Sequence, residues 1–105
     1  MPGVSVVIAP EGELDLHAAR ALGPQLAEAA GGDFPELVVD LSAVTFLDST
    51  GLGAILQAHQ RLQRQGRTVK IVAPQGSAAA VLIDLAGLRQ KLNMYTSREE
   101  ALAGA

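Results

Sequence analysis

Residues 46–53 read Phe46-Leu47-Asp48-Ser49-Thr50-Gly51-Leu52-Gly53. Three consecutive side-chain oxygens end an apolar run, and two glycines follow where a helical pattern opens. A strand-to-helix turn of this composition has several possible chemistries. The dinucleotide fingerprint G-x-G-x-x-G needs three glycines; Gly51 and Gly53 supply two, but Leu56 takes the third position. No acidic residue stands at the later strand end. A GxxxxGK[ST] phosphate loop needs a lysine beside the turn, and none is near. A nucleophile elbow reads GxSxG, whereas the bulky Leu47 precedes Asp48 and Ser49 here. The only histidines are His17 and His59, and His59 sits roughly 15 Å of helix rise from Ser49. Asp40 and Asp48 near strand ends suggest a phosphoacceptor aspartate, but Lys70 begins a strand rather than ending one, and no paired acidic cluster offers magnesium a site.

The plainest account is a helix N-cap. Asp48 or Ser49 would accept from backbone N–H groups two or three residues on. That explains the oxygens but not Gly51 and Gly53, each of which costs up to about 1 kcal/mol of helix propensity. Glycines there leave the serine hydroxyl uncrowded and let another protein's active site come close to the backbone.

Composition narrows the rest. The chain has 105 residues, enough for one domain, 1–105, with its own core. The hydrophobic fraction is 49% with only three aromatics, which suits aliphatic layers and argues against a base-stacking platform. A net charge of −3 argues against nucleic acid. There is no cysteine, so disulfides, thiol catalysis and thiolate metal sites are excluded. The first residues lack the charged and apolar regions of a signal peptide. The longest apolar run, Ala78 to Ile83, falls far short of the ~20 residues of a membrane span. A soluble, cytoplasmic domain without cofactor or metal is expected.

The elements that must position the turn read as an alternation. Val4 to Ala9 is β-branched and strand-like, and Pro10 to Gly12 closes it. Asp15 caps a helix whose stripe is Leu16, Ala19, Leu22, Leu26 and Ala29. Gly23-Pro24 predicts a kink or break there, and Gly31-Gly32 the end. Leu37 to Leu41 is apolar on both faces, as a central strand is; Ser42 to Leu47 reads as a connection. Ser49 to Gln65 is helical, with Leu52, Ile55, Leu56 and Leu62 inward and Gln57, Gln60, Arg61 and Arg64 outward. Gly66 ends it. Val69 to Ala73 is a strand, Ser77 to Ala86 a helix closed by Gly87, and Leu92 to Tyr95 a short strand. Ser97 to Glu100 is a capping box. His17 reads as a first-turn residue, His59 as packing, and Arg61, Arg64 and Arg67 as a solvated basic face. The order implies parallel pairs joined by right-handed crossovers.

Three segments together resemble the STAS domain family, and most of all its bacterial anti-anti-sigma factors, or anti-sigma factor antagonists. They are Gly12-Glu13-Leu14-Asp15, Asp48-Ser49-Thr50-Gly51-Leu52-Gly53 and Ala86-Gly87-Leu88, and the resemblance runs from about Val6 to the C-terminus. It implies an α/β STAS fold, a small mixed sheet of about four strands covered by about four helices. It implies a switch rather than an enzyme. In such proteins the serine after the motif aspartate, here Ser49, is phosphorylated by the anti-sigma factor, a serine kinase. The unphosphorylated antagonist binds that kinase and releases a sigma factor, and a PPM-type phosphatase resets the switch. Asp48, Thr50, Gly51 and Gly53 would support the phosphosite. Asp15, His17, Gly51, Leu52, Gly87 and Leu88 are expected on the partner surface. The family also contains stressosome scaffolds and transporter STAS domains, which would not depend on phosphorylation at Ser49.

Family members usually have a strand before the one at Val4 to Ala9. Only three residues precede Val4, so that strand is expected at an open sheet edge, and open edges pair with other chains. A weak homodimer along it is the predicted outcome. Sedimentation at high concentration checks this, and a monomer throughout removes it.

Overall fold

The computed structural model describes residues 5–32 and 34–103, and within α1 leaves aside the side chains of Ala19, Ala29 and Ala30. Val4 and those alanine side chains, named above, therefore lie outside the described residues. In chain order the elements are β1 (Ser5–Ile8), β2 (Gly12–Leu14), α1 (Leu16–Gly31), β3 (Glu36–Asp40), β4 (Val44–Leu47), α2 (Ser49–Arg64), β5 (Thr68–Val72), α3 (Ala78–Leu85), a 3₁₀ turn (Arg89–Lys91), β6 (Asn93–Tyr95) and α4 (Arg98–Ala103).

Leu37, Val38 and Val39 are wholly buried, because β3 carries apolar side chains on both faces and is covered on both. It is flanked by β1 and β5, and β6 completes the order β1-β3-β5-β6. The α/β class with about four sheet strands and four helices is the one expected. Within it each pairing of the described residues is parallel, where a mixed sheet was anticipated. Every link between neighbouring sheet strands contains a helix or helical turn rather than a hairpin, and such crossovers return the chain in the same direction. Among the described residues β1 lies at the sheet edge.

One face of the sheet takes Leu22 and Leu26 of α1, Ile55 and Leu62 of α2 and Ile83 of α3 into a core with Leu37, Val39 and Ile71. Full burial of each such side chain contributes roughly 1.5–3 kcal/mol. The opposite face gathers Val38, Val72 and Ala101, with Val7 and Tyr95 against them. The helix α1 runs unbroken through Pro24, so of the expected kink or break the break does not occur. Arg20 and Pro24 are both exposed, so water can reach the carbonyl that Pro24 leaves without its usual donor. Meanwhile Leu22 and Leu26, at 3% and 2% exposure, anchor the helix on either side.

Two strands were not expected. β2 and β4 form a separate parallel ribbon with Leu14 opposite Leu47. Gly12 enters it at φ +78, the left-handed region that suits glycine, and donates its N–H to the Ala43 carbonyl at 3.0 Å.

Polar groups fasten the outer face. Lys70, 5% exposed, pairs with Glu36 at 2.9 Å and donates to the Ala101 carbonyl at 2.7 Å. Arg98 donates to Asp40 at 2.8 Å, which ties α4 to the end of β3. Burial alone would raise the Asp40 carboxyl, but the Ser42 hydroxyl and amide and the Arg98 guanidinium outweigh it and hold it below the ordinary value. Glu36 behaves likewise, with Ser5 and Lys70 offsetting its burial. His59 is buried, and the lost hydration lowers its pKa.

All three shifts have the same sign for stability. Each folded pKa lies below its unfolded one, so the unfolded chain binds more protons and stability falls on acidification. The His59 contribution starts to be lost as pH drops through about 6.5. Those of Asp40 and Glu36 are kept above the ordinary carboxylate range and lost below it. Urea unfolding from pH 8 to pH 5 checks the first step. His59→Gln is expected to flatten that slope, and a slope equal to the wild type's would contradict the assignment.

Candidate functional site: two helix starts on one ribbon

The β2-β4 ribbon decides where the Asp48-Ser49-Thr50 turn goes. Leu14 and Leu47 are paired, so Asp15 and Asp48 follow side by side, and α1 and α2 start at neighbouring points. Each aspartate caps its own helix. Asp48 has extended backbone, φ −105 and ψ −179, and its Oδ1 accepts from the Thr50 and Gly51 amides, both at 3.0 Å. Asp15 Oδ1 accepts from the Ala18 amide at 3.0 Å. Such caps contribute about 1 kcal/mol each. The Asp48 amide in turn donates to the Leu14 carbonyl at 3.3 Å, which stitches the second helix start to the first strand.

Ser49 is therefore the first helical residue, and it is exposed, as is Thr50. Both line a shallow groove of about 390 Å³ between the helices, with Gly53, Ala54 and Gln57 of α2 opposite Leu16, Arg20 and Gly23 of α1. The groove continues along the helix pair past Ala27 to Arg61 and Arg64. The helices thus run in the same direction, and the partial positive charges of both N-termini lie at the Ser49 end.

The two glycines have different causes. Gly51 is buried, and a Cβ on it would stand 2.6 Å from the Leu14 carbonyl oxygen and 2.9 Å from Leu47 Cδ1. It is a packing glycine where α2 crosses the end of β2. Gly53 has nothing within 4 Å of its Cβ position, and it faces the groove beside Ser49.

The expected partner residues divide accordingly. Gly51 and Leu52 do not offer a surface, which corrects their place on it: Gly51 is pressed on Leu14, and Leu52 is a core residue at 5% exposure. Asp15 is half-buried and His17 exposed at the start of α1. Gly87, at φ +71, ends α3: its amide donates to Asp84 at 3.1 Å and that of Leu88 to Ile83 at 3.0 Å. This is a Schellman helix end, and it accounts for the Ala86-Gly87-Leu88 motif by backbone geometry. Neither residue lines the groove beside Ser49. Sequence reading gave Arg20 and Phe46 no part in the site, and it set Leu16 in the apolar stripe of α1, which the exposure of Leu16 corrects. Leu16, which lines the groove with Ser49, is 53% exposed, and Phe46, on β4 ahead of the turn, is 48% exposed. No alternation marked Phe46 in the sequence, since Thr45 and Phe46 are both exposed between the buried Val44 and Leu47.

Among the described residues no group of three His, Cys, Asp or Glu side chains could hold a metal ion. No helix there is long and apolar enough to cross a membrane.

A family model for the STAS domain matches residues 1–101. The anti-sigma-F factor antagonist RsfB of Mycobacterium tuberculosis is 35% identical over 94 residues, which is 89% of this chain and 75% of that protein. Among solved structures, an anti-sigma factor antagonist from Mycobacterium paratuberculosis superposes with a TM-score of 0.81 at 32% identity, over 94% of this chain and 83% of that one. The STAS domain of a SulP transporter from Vibrio cholerae does so with a TM-score of 0.73 at 24% identity, over 98% and 81%; that likeness is one of fold.

The glycine assignment makes opposite forecasts for two similar substitutions. Gly51→Ala forces backbone apart and is expected to destabilise by about 1–3 kcal/mol. Gly53→Ala meets open space and is expected to stabilise by up to about 1 kcal/mol through helix propensity. Denaturant midpoints of the two variants check this, and equal effects would contradict it.

Proposed function

The chain belongs to the STAS domain family, and on that premise we propose that it is an anti-sigma factor antagonist switched by phosphorylation of Ser49. Its partner is an anti-sigma factor that is also a serine kinase. The unphosphorylated chain binds that factor and frees a sigma factor for transcription. The kinase transfers the γ-phosphoryl group of ATP to the Ser49 hydroxyl, which loses its proton as ADP leaves, and a PPM-type phosphatase removes the group. The chain acts by binding in the cytoplasm and catalyses nothing itself.

The observation that carries this reading is the position of Ser49. It is exposed at the first position of α2, in a groove it shares with the exposed Leu16, while the Asp48 carboxylate is occupied by the backbone. A kinase can reach the hydroxyl without unfolding anything. A phosphate there adds about 1.5–2 negative charges at pH 7, at a helix N-terminus that tolerates an anion. Among the described residues Arg20 is the only charged one lining the groove at this end, so phosphorylation reverses the local charge. The modified chain keeps its fold and loses its docking face. The similarity to the RsfB antagonist supports the same reading.

Ser49→Asp is expected to weaken binding to the anti-sigma factor of the source cells at least tenfold, which corresponds to about 1.4 kcal/mol, while Ser49→Ala binds and accepts no phosphate. Calorimetry with the purified pair checks this. Equal affinity for wild type and Ser49→Asp would favour a STAS scaffold that works without phosphorylation.

A further inference from the structure

We propose that Arg20 is the built-in counter-ion of phosphorylated Ser49, so that modification both adds an anion to the docking face and withdraws a cation that lines the groove there. The inference rests on the reading of Ser49 as the phosphoacceptor and concerns how the modified state is held.

Geometry singles out Arg20. Leu16, Arg20 and Gly23, at spacings of four and three residues, form the α1 wall of the groove whose other wall is Ser49, Thr50, Gly53, Ala54 and Gln57. Residues so spaced share one helix face. Gly23 and Gly53 put no side chain between the walls. Arg20 is exposed and, among the described residues, has no ion-pair partner.

The other cations are engaged or remote. Lys70 is buried against Glu36, Arg89 pairs with Asp84 and Arg98 with Asp40. Arg67 donates to the Gly32 carbonyl and lies over the Phe34 ring. Arg61 begins roughly 18 Å of helix rise beyond Ser49. Lys91 lies on the 3₁₀ turn after α3 and lines neither stretch of the groove. The acidic neighbours do not compete for Arg20, since Asp48 and Asp15 accept backbone amides and neither lines the groove. A guanidinium suits phosphate because its planar fork donates two parallel hydrogen bonds. In the unmodified chain Arg20 is offered to the partner; in the modified chain it turns to the phosphate across the groove.

A thermal-stability cycle tests this with phosphoserine installed at position 49 during translation, so that no kinase is needed. The four chains carry serine or phosphoserine at 49 and arginine or Arg20→Gln at 20. At low ionic strength Arg20→Gln is expected to lower the melting temperature of the phosphorylated chain by about 2–4 °C more than that of the unmodified one. High salt is expected to erase the difference. Any general effect of the substitution on α1 cancels in the cycle. A coupling of zero at low salt, or one that high salt leaves unchanged, overturns the proposal. Binding of the anti-sigma factor to the same chains separates the two readings. Loss of binding with phosphoserine and no coupling sinks the Arg20 pairing alone; coupling without loss of binding sinks the switch alone.

Discussion

The carbonyl oxygen of Leu14 receives the Asp48 amide at 3.3 Å while the bare Cα of Gly51 passes so close that a methyl group would overlap it. This contact joins the end of β2 to the first turn of α2, and most of the site's geometry follows from it. With Leu14 set opposite Leu47, the two capping aspartates fall side by side and the two helices start in register. Their parallel course then opens the groove in which Ser49, Thr50 and Arg20 meet. Without the Gly51 contact α2 would ride higher on β2, and the serine would move relative to α1.

Rigidity of this kind suits a switch that works by surface charge. The first turn of α2 is fixed by the Asp48 cap, by the ribbon and by Leu52 and Ile55 in the core. A phosphate on the exposed Ser49 side chain would stand at the positive end of the helix dipole, while the Thr50 and Gly51 amides stay with Asp48. The energy of the proposed modification would therefore be expressed in what another protein meets: a reversed charge in the groove that Leu16 lines. Apolar surface gives affinity only while the charges around it are compatible with the partner.

Much of this was legible in the residues. The apolar runs of β3 and β5 and the stripe of α2 follow from burial on two faces and one face respectively, and the Asp48 cap from its place before a helical pattern. The ribbon was not legible. Strands of three and four residues with Glu13, Thr45 and Phe46 outward carry too little alternation, and their pairing is a long-range fact. Missing the ribbon hid the cause of Gly51, since nothing local distinguishes it from Gly53. Gly51 and Leu52 were set on the partner surface by the family resemblance, although the stripe of α2 already turned Leu52 inward. At Pro24 a break was one of two expected outcomes and does not occur: the local cost is real, but Leu22 and Leu26 hold the helix together from the core side. The Gly87-Leu88 segment was recognised as a motif, yet its backbone role appears only in the hydrogen bonds that close α3.

The central claim is that Ser49 changes a surface on an unchanged scaffold. An amide ¹H–¹⁵N correlation spectrum of the chain with phosphoserine at 49, set against the unmodified chain, tests it most directly. The account predicts shifts confined to the first turns of α1 and α2 and the adjoining ends of β2 and β4, with the amides of β3, β5 and α4 unmoved. Shifts spread through β3, β5 and α4 would contradict it and place the switch in a rearrangement of the fold.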